Sequence, residues 1–108
     1  MQTIGIDVKD SVKFKRITRE VLQILKFALS VWSIYDKTPT ITSAHDSHDN
    51  RPKSLHNKDL ALDFRIRDLT KTEIRNIIKD LRSFLSDKYD IVLESDHIHI
   101  EWDNGKKI

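Results

Sequence analysis

Hydrophobic residues recur every three to four positions in two segments of the chain, which is the spacing of amphipathic helices. The first segment covers residues 11–35 and should end before Pro39, because a proline disfavours helical geometry at the preceding residue. Its apolar positions are Phe14, Ile17, Val21, Leu22, Ile24, Leu25, Ala28, Leu29 and Trp32. The second segment begins at a capping box formed by Thr70 and Glu73 and ends near Asp87. Its apolar positions are Ile74, Ile77, Ile78, Leu81, Phe84 and Leu85.

Strand-like segments lie between and after the two predicted helices. Residues 40–43 are mostly β-branched, and residues 60–66 alternate between apolar and other side chains. Residues 89–93 and 97–102 either pair as a hairpin or form one bent strand, and residues 1–10 hold a small strand or an arm. This order predicts one α+β domain over residues 1–108, with a small antiparallel sheet and two main helices.

Alternation also predicts which side chains share a face of the sheet. In the strand over residues 60–66, Asp63 should lie on the face of Ala61 and Arg65. In the last strand, three apolar residues face one way and three polar residues face the other. The apolar set, Ile98, Ile100 and Trp102, should join Trp32 and the phenylalanines Phe14 and Phe27 in the core. The polar set is His97, His99 and Glu101.

Composition narrows the classes of function. Among 108 residues, 38% are hydrophobic and 33% charged, with a net charge of +2, which suits a soluble globular protein with a small core. We expect it to be a monomer. The densest basic run, Lys13–Arg19, is typical of a solvated helix face, and the chain has no groove-entering element, so we expect no nucleic-acid partner. Polar residues interrupt the longest apolar stretch, so no membrane span is expected. The N-terminus lacks a signal-peptide pattern, which predicts a protein made in the cytoplasm.

The chain has no cysteine, so a metal site would need His, Asp or Glu ligands. Its five histidines lie in two polar segments and are His45, His48, His56, His97 and His99. A catalytic zinc takes three such ligands and keeps a fourth position for water, and a nearby carboxylate takes the proton of that water. Residues 54–63 and 94–101 each combine histidine with acids beside a predicted strand. Two neighbouring strands could therefore present the ligands and a base in one cleft.

The same two segments resemble the motifs of the M15 zinc peptidases. The run SLHNKDLALD is similar to the signature S-x-H-x-x-G-x-A-x-D, and DHIHIEW resembles the second motif, in which an acid precedes the last ligand histidine by three residues. The resemblance covers residues 41–103 and is closest to short phage-encoded members. It implies a D-Ala-D-Ala peptidase or hedgehog-like fold. Asp59 replaces the glycine of the first motif, and Ala44 and His45 stand where an arginine is usual.

The resemblance implies a role for particular residues. The zinc ligands would be His56, Asp63 and His99. Asp96 would be the general base, with Glu94 as the alternative in the other register, and His97 would stabilise the oxyanion. Independently of the resemblance, we expect Glu101 to be a cross-strand charge partner or to hold a ligand histidine rather than to bind the metal itself. Ser54 would help to bind the substrate. Its carboxylate would be held by Arg51 or His48, an alternative that the resemblance does not decide.

The implied function is hydrolysis of the stem peptides of bacterial peptidoglycan, in a phage or prophage lysis enzyme that acts on the wall after release or as part of a virion. The choice between a carboxypeptidase and an L-Ala-D-Glu endopeptidase stays open, as does the native metal. Three alternatives also stay open. They are a non-catalytic virion or structural protein with the same fold, a nucleic-acid-binding accessory protein that uses Lys13–Arg19, and a hydrolase of another amide.

Overall fold

Five strands and two helices make up residues 5–10, 12, 17–44 and 60–102, which the structure, a computed structural model, describes. In chain order they are β1 (Asp7–Val8), α1 (Arg19–Ile34), β2 (Thr40–Ser43), β3 (Ala61–Arg65), α2 (Lys71–Phe84), β4 (Tyr89–Leu93) and β5 (His97–Trp102). The strands form one sheet in the order β1-β2-β3-β5-β4. The predicted α+β class, the two main helices and the four strands after residue 39 are confirmed.

The sheet is mixed, so the prediction of an antiparallel sheet is wrong for β1. The pairs β2–β3, β3–β5 and β4–β5 are antiparallel, with β4 and β5 forming a hairpin, whereas β1 runs parallel to β2. Two backbone hydrogen bonds of 2.9 Å attach β1 to the segment around β2. The N–H of Asp7 donates to the carbonyl of Pro39, and the N–H of Lys9 donates to the carbonyl of Ile41. Both residues of β1 are exposed, so no burial pattern marked their direction.

Helix α1 begins at Arg19, so the prediction of a helix from residue 11 is wrong for its described first residues. Thr18 has extended backbone angles, and its hydroxyl accepts a 3.2 Å hydrogen bond from the N–H of Val21, which makes it the N-cap. The helical spacing of apolar residues extends back to Ile17, but the backbone at Ile17 and Thr18 is not helical. Phe14 lies outside the described residues.

The other end of α1 is a Schellman motif. The N–H of Asp36 donates to the carbonyl of Ser33, and the N–H of Lys37 donates to that of Trp32, both at 3.1 Å. Asp36 has a φ of 59°, the left-handed conformation that this motif requires and that Asp tolerates better than most residues. The helix therefore ends through its own capping bonds before Pro39.

Helix α2 starts at the predicted capping box. The hydroxyl of Thr70 accepts from the N–H of Glu73 at 3.1 Å, and the carboxylate of Glu73 accepts from the N–H of Thr70 at 2.8 Å. The helix ends at Phe84, three residues before the expected end. The hydroxyl of Tyr35 donates to Asp80 at 2.8 Å and ties the two helices together. Neither helix of the described part is long and apolar enough to cross a membrane.

The core lies between the helices and one face of the sheet. Its fully buried members include Ile24 and Trp32 of α1, Leu62 and Phe64 of β3, Ile77 and Leu81 of α2, and Ile98 and Ile100 of β5. The rings of Trp32 and Phe64 lie 5.3 Å apart. Trp32 is thus a core residue as predicted, and Phe27 packs against the core while stacking on Phe84. Trp102 is only partly buried, because it stands at the end of β5.

Candidate functional site

The strands β3 and β5 place a set of polar side chains on the sheet face opposite the core. Asp63 pairs across the strands with His99, one position along from the pair of Leu62 and Ile100. Because successive side chains of a strand point to opposite faces, burial of Leu62 and Ile100 against the helices sends Asp63 and His99 to the other side. The site is therefore a consequence of the same alternation that builds the core.

The carboxylate of Asp63 is the centre of this set. Its Oδ1 lies 2.7 Å from Nδ1 of His99, and its Oδ2 lies 3.6 Å from Nε2 of His97. The Asp63 residue is only 6% exposed. A carboxylate that is nearly removed from water needs charged or hydrogen-bonding partners, and two imidazoles supply them.

Each histidine also contacts a second acid. Nε2 of His99 lies 2.6 Å from Oε1 of Glu101, and Nδ1 of His97 lies 2.6 Å from Oδ1 of Asp96. The five side chains follow one another as Asp96, His97, Asp63, His99 and Glu101. We call this alternating set of acids and imidazoles the carboxylate–imidazole row.

The row carries an excess of negative charge. Three carboxyl groups face two imidazoles, so the formal charge of the row is −1 even with both imidazoles protonated. Burial acts to lower the pKa of His99, but its hydrogen bonds to Asp63 and Glu101 outweigh burial and raise the pKa to about 9 from an ordinary 6.5. His99 is therefore protonated at neutral pH when nothing else is bound. A cation that binds here would take the place of that proton.

A tetrahedral zinc ion sets the distance between its ligand atoms. Two ligands of one tetrahedral zinc stand about 3.3 Å apart, given metal–ligand bonds of roughly 2.0–2.1 Å. The separation of 3.6 Å between Asp63 and His97 is close to that value, whereas Asp63 and His99 are 2.7 Å apart and hydrogen-bonded directly. Among the described residues no group of three potential ligands is arranged to hold a metal ion. A zinc site would need a further ligand and a small separation of Asp63 from His99.

Several predicted site residues lie outside the described residues, namely His56, Ser54, Arg51 and His48. Within the described part, the structure brings together Asp63, His99 and His97, with Asp96 beside them. The alternative base, Glu94, is exposed, and its backbone N–H donates to the carbonyl of His97 at 2.8 Å, which closes the turn between β4 and β5. Of the two candidate bases, Asp96 contacts a histidine of the row, namely His97.

Two features were not anticipated from the sequence. The second oxygen of Asp63 faces His97, so one carboxylate serves both histidines. Ser43, which is buried, lies opposite Asp63 at an irregularity of the β2–β3 pairing. The alternation of acids and histidines in residues 94–101 was a usable signal for the first feature. No local pattern marks the second.

Comparison of the chain with protein-family models, curated proteins and solved structures found no match.

Proposed function

We propose that the chain is a zinc-dependent peptidase of the D-Ala-D-Ala peptidase or hedgehog-like fold that hydrolyses stem peptides of bacterial peptidoglycan. The observation that carries the proposal is the contact between Asp63 and His99. These residues come from two motifs, 36 positions apart in the chain, and their side chains lie 2.7 Å apart in adjacent strands. Both residues were expected to bind the same metal ion, and two ligands of one ion must lie close together.

The proposed zinc ligands are His56, Asp63 and His99. The donor set of the row suits a divalent cation, since it offers a nearly buried carboxylate, imidazole nitrogens and a surplus of negative charge. When bound, zinc would polarise the scissile carbonyl and lower the pKa of a bound water toward ~7. The hydrogen bond from His99 to Glu101 fixes the orientation of the ring, as acids behind ligand histidines do in many metal sites.

The base of the proposed reaction is Asp96. Its side chain is 84% exposed, so it can exchange protons with water and with substrate. Asp96 would take a proton from the attacking water and deliver it to the departing amine. Its contact with Nδ1 of His97 orients that ring with Nε2 toward Asp63. His97 would then donate a hydrogen bond to the developing oxyanion.

The substrate and the setting rest on the resemblance. Peptidoglycan stem peptides end in a carboxylate, and Arg51 or His48 would bind it, with Ser54 close by. A guanidinium suits this task best, because it can form two parallel hydrogen bonds with a carboxylate. The proposed setting is phage or prophage lysis by a monomer that reaches the wall after release or with the virion.

One observation favours the second candidate, a non-catalytic virion or structural protein of the same fold. The hydrogen bond of 2.7 Å between Asp63 and His99 satisfies both groups without a metal. In such a protein the row would be a partly buried polar network, centred on Asp63, that stabilises the sheet.

Metal content tests the site. The protein, purified without chelator, should contain about one zinc per chain by elemental analysis. His56→Ala and Asp63→Ala should lose it, whereas His45→Ala, a change in the same segment as His56 but outside both motifs, should keep it. A metal-free protein, or metal that survives both ligand changes, would refute the proposed site.

Hydrolysis separates the two candidates. Purified peptidoglycan and synthetic stem peptides should be cleaved by the zinc-loaded protein, and mass spectrometry of the products identifies the bond. Asp96→Ala should abolish cleavage while keeping the metal, and Glu94→Ala should leave both unchanged. Zinc binding without any cleavage would favour the structural protein.

A further inference from the structure

A groove with a volume of about 800 Å³ runs along the exposed side of α2 beside β4. Its apolar lining comes from Ile74 and Ile78 of α2 and from Leu93 of β4. Leu93 is 51% exposed, so its side chain is accessible to a ligand in the groove. Leu93 pairs with Ile98, and α2 buries Ile77 and Leu81 in the same core. The groove therefore lies on the helix side of the sheet, opposite the carboxylate–imidazole row.

Four basic side chains border the apolar lining, namely Lys71, Arg75, Lys79 and Arg82. No acidic residue is among the groove's described lining. The two acids of α2 have partners away from the groove, since Glu73 closes the capping box and Asp80 accepts a hydrogen bond from Tyr35. Charge is thus separated around the helix, with cations on the groove side.

The cations have a helical spacing. Lys71, Arg75 and Lys79 are four residues apart, so they lie on one face of α2 with a rise of about 6 Å between neighbours. In the described part of the chain, none of these three forms an ion pair. Three like charges along an apolar groove repel one another, and an acidic ligand would relieve that repulsion.

The neighbouring edge of the sheet is partly blocked. Nη2 of Arg82 donates a hydrogen bond of 3.3 Å to the carbonyl of Ile91 in β4, which is the last strand of the sheet. A charged side chain over an edge carbonyl opposes the addition of another strand. An occupant of the groove would therefore contact side chains of α2 and β4 without extending the sheet.

We propose that this groove binds an acidic amphipathic helix of a partner protein. Aliphatic residues on one side of such a helix would cover Ile74, Ile78 and Leu93, and acidic residues at a spacing of four would pair with Lys71, Arg75 and Lys79. A nucleic acid fits less well, because no aromatic residue for base stacking is among the described lining residues. The apolar lining would also gain little from a phosphate backbone. This inference does not depend on the proposed peptidase activity.

A model peptide tests the proposal. The probe is a fluorescein-labelled, end-blocked helix of about 14 residues, long enough to follow α2, with Glu at every fourth position and Leu on the adjoining face. Fluorescence anisotropy should show saturable binding to the full chain. A peptide of the same composition in scrambled order should bind at least about fivefold more weakly, since its acids and leucines no longer form separate faces.

Variants locate the binding. Lys71→Glu combined with Arg75→Glu should weaken the probe at least about tenfold, and Leu93→Ser should weaken it about threefold. Lys9→Glu combined with Arg67→Glu, which reverses the same charge at exposed positions outside the groove, should leave affinity within about twofold. Circular dichroism establishes that each variant is folded.

Three outcomes would overturn the proposal. They are no saturable binding of the probe up to about 1 mM, equal binding of the scrambled peptide, and equal loss in the groove and control variants. A single-stranded oligonucleotide that binds more tightly than the probe, and loses affinity in the groove variant, would assign the groove to a nucleic acid instead. Size-exclusion chromatography at several concentrations tests whether a second copy of this chain occupies the groove. That occupant would make the protein a dimer, and the groove would then not be a site for a partner's helix.

Discussion

The two faces of the sheet are built from the same strands and have opposite chemistry. On the helix side, Leu62, Phe64, Ile98 and Ile100 are completely buried and wholly apolar. On the other side, the intervening positions of β3 and β5 carry the carboxylate–imidazole row except for Asp96, which directly precedes β5. Burial of the apolar side chains on the helix side stabilises the fold. The polar side chains of the row are available for binding and lie outside that apolar core. Substitutions should therefore separate stability from ligand binding according to the face that they change.

The largest effect is expected from a cavity on the helix side. Phe64→Ala should lower the free energy of unfolding by about 3–5 kcal/mol, because a fully buried ring that packs against Trp32 is removed. Urea denaturation followed by circular dichroism measures it. Val92→Ala, at an apolar strand position that is 43% exposed, should cost less than about 1 kcal/mol. Similar losses in the two variants would contradict the division between the faces.

A change in the centre of the row should cost less. With a chelator present, Asp63→Ala should lower the free energy of unfolding by about 1–3 kcal/mol, since Nδ1 of His99 loses its partner within a partly buried site. The same denaturation experiment applies. Asp68→Ala, which removes an exposed acid, is the matched control and should be nearly neutral. A stabilised Asp63→Ala protein would mean that repulsion between the acids outweighs their hydrogen bonds.

The row should also make stability depend on pH. The pKa of His99 in the folded, metal-free chain is raised to about 9 from 6.5, so its contribution is fully present below pH 6.5 and is lost as the pH rises through 9. Because the His99 side chain is 18% exposed and partly screened, we expect a loss of about 1–2 kcal/mol. Melting temperatures in chelator at pH 6 and pH 9.5 measure it. His99→Gln should remove this part of the pH dependence of stability. If the variant kept the same pH dependence, His99 would not be its source.

The smallest effect concerns the end of a helix, remote from the row. Thr70→Ala should cost about 1 kcal/mol, because it removes the hydroxyl that caps α2. Thr72→Ala, two residues along in the same helix and exposed, changes the same atoms without touching the cap and should be neutral or slightly stabilising. The two variants should bind metal alike. Reduced metal content only in Thr70→Ala would show that the two faces are coupled.

Local signals made much of this fold predictable. The capping box of Thr70 and Glu73 placed the start of α2 correctly, because both of its bonds lie within four residues. The start of α1 was misplaced, since apolar spacing continues back to Phe14 whereas the N-cap is Thr18. The parallel pairing of β1 was beyond prediction for a related reason. A pairing between distant segments, made by two exposed residues, leaves no periodic trace.

For the described part of the candidate site, the sequence indicated which side chains share a face but not how they contact one another. Alternation in two strands placed Asp63 and His99 on polar faces, and only the pairing of β3 with β5 makes them neighbours. The side-chain directions that bring Glu101 to His99 and Asp96 to His97 depend on packing, so the sequence could leave them only as alternatives. The basic groove was missed because helical cations are usually solvated, and its apolar wall includes Leu93 from another element.

The pairing of β3 with β5 has a consequence for how this chain can change. Sliding β5 by one residue against β3 would turn its isoleucines to the solvent and its histidines into the core. A single insertion within β5 could therefore not move the site by a small step, because every side chain after it would turn to the opposite face of the sheet. The length of β5 itself is constrained by this pairing, and variants should tolerate replacements in this strand far better than insertions or deletions within it.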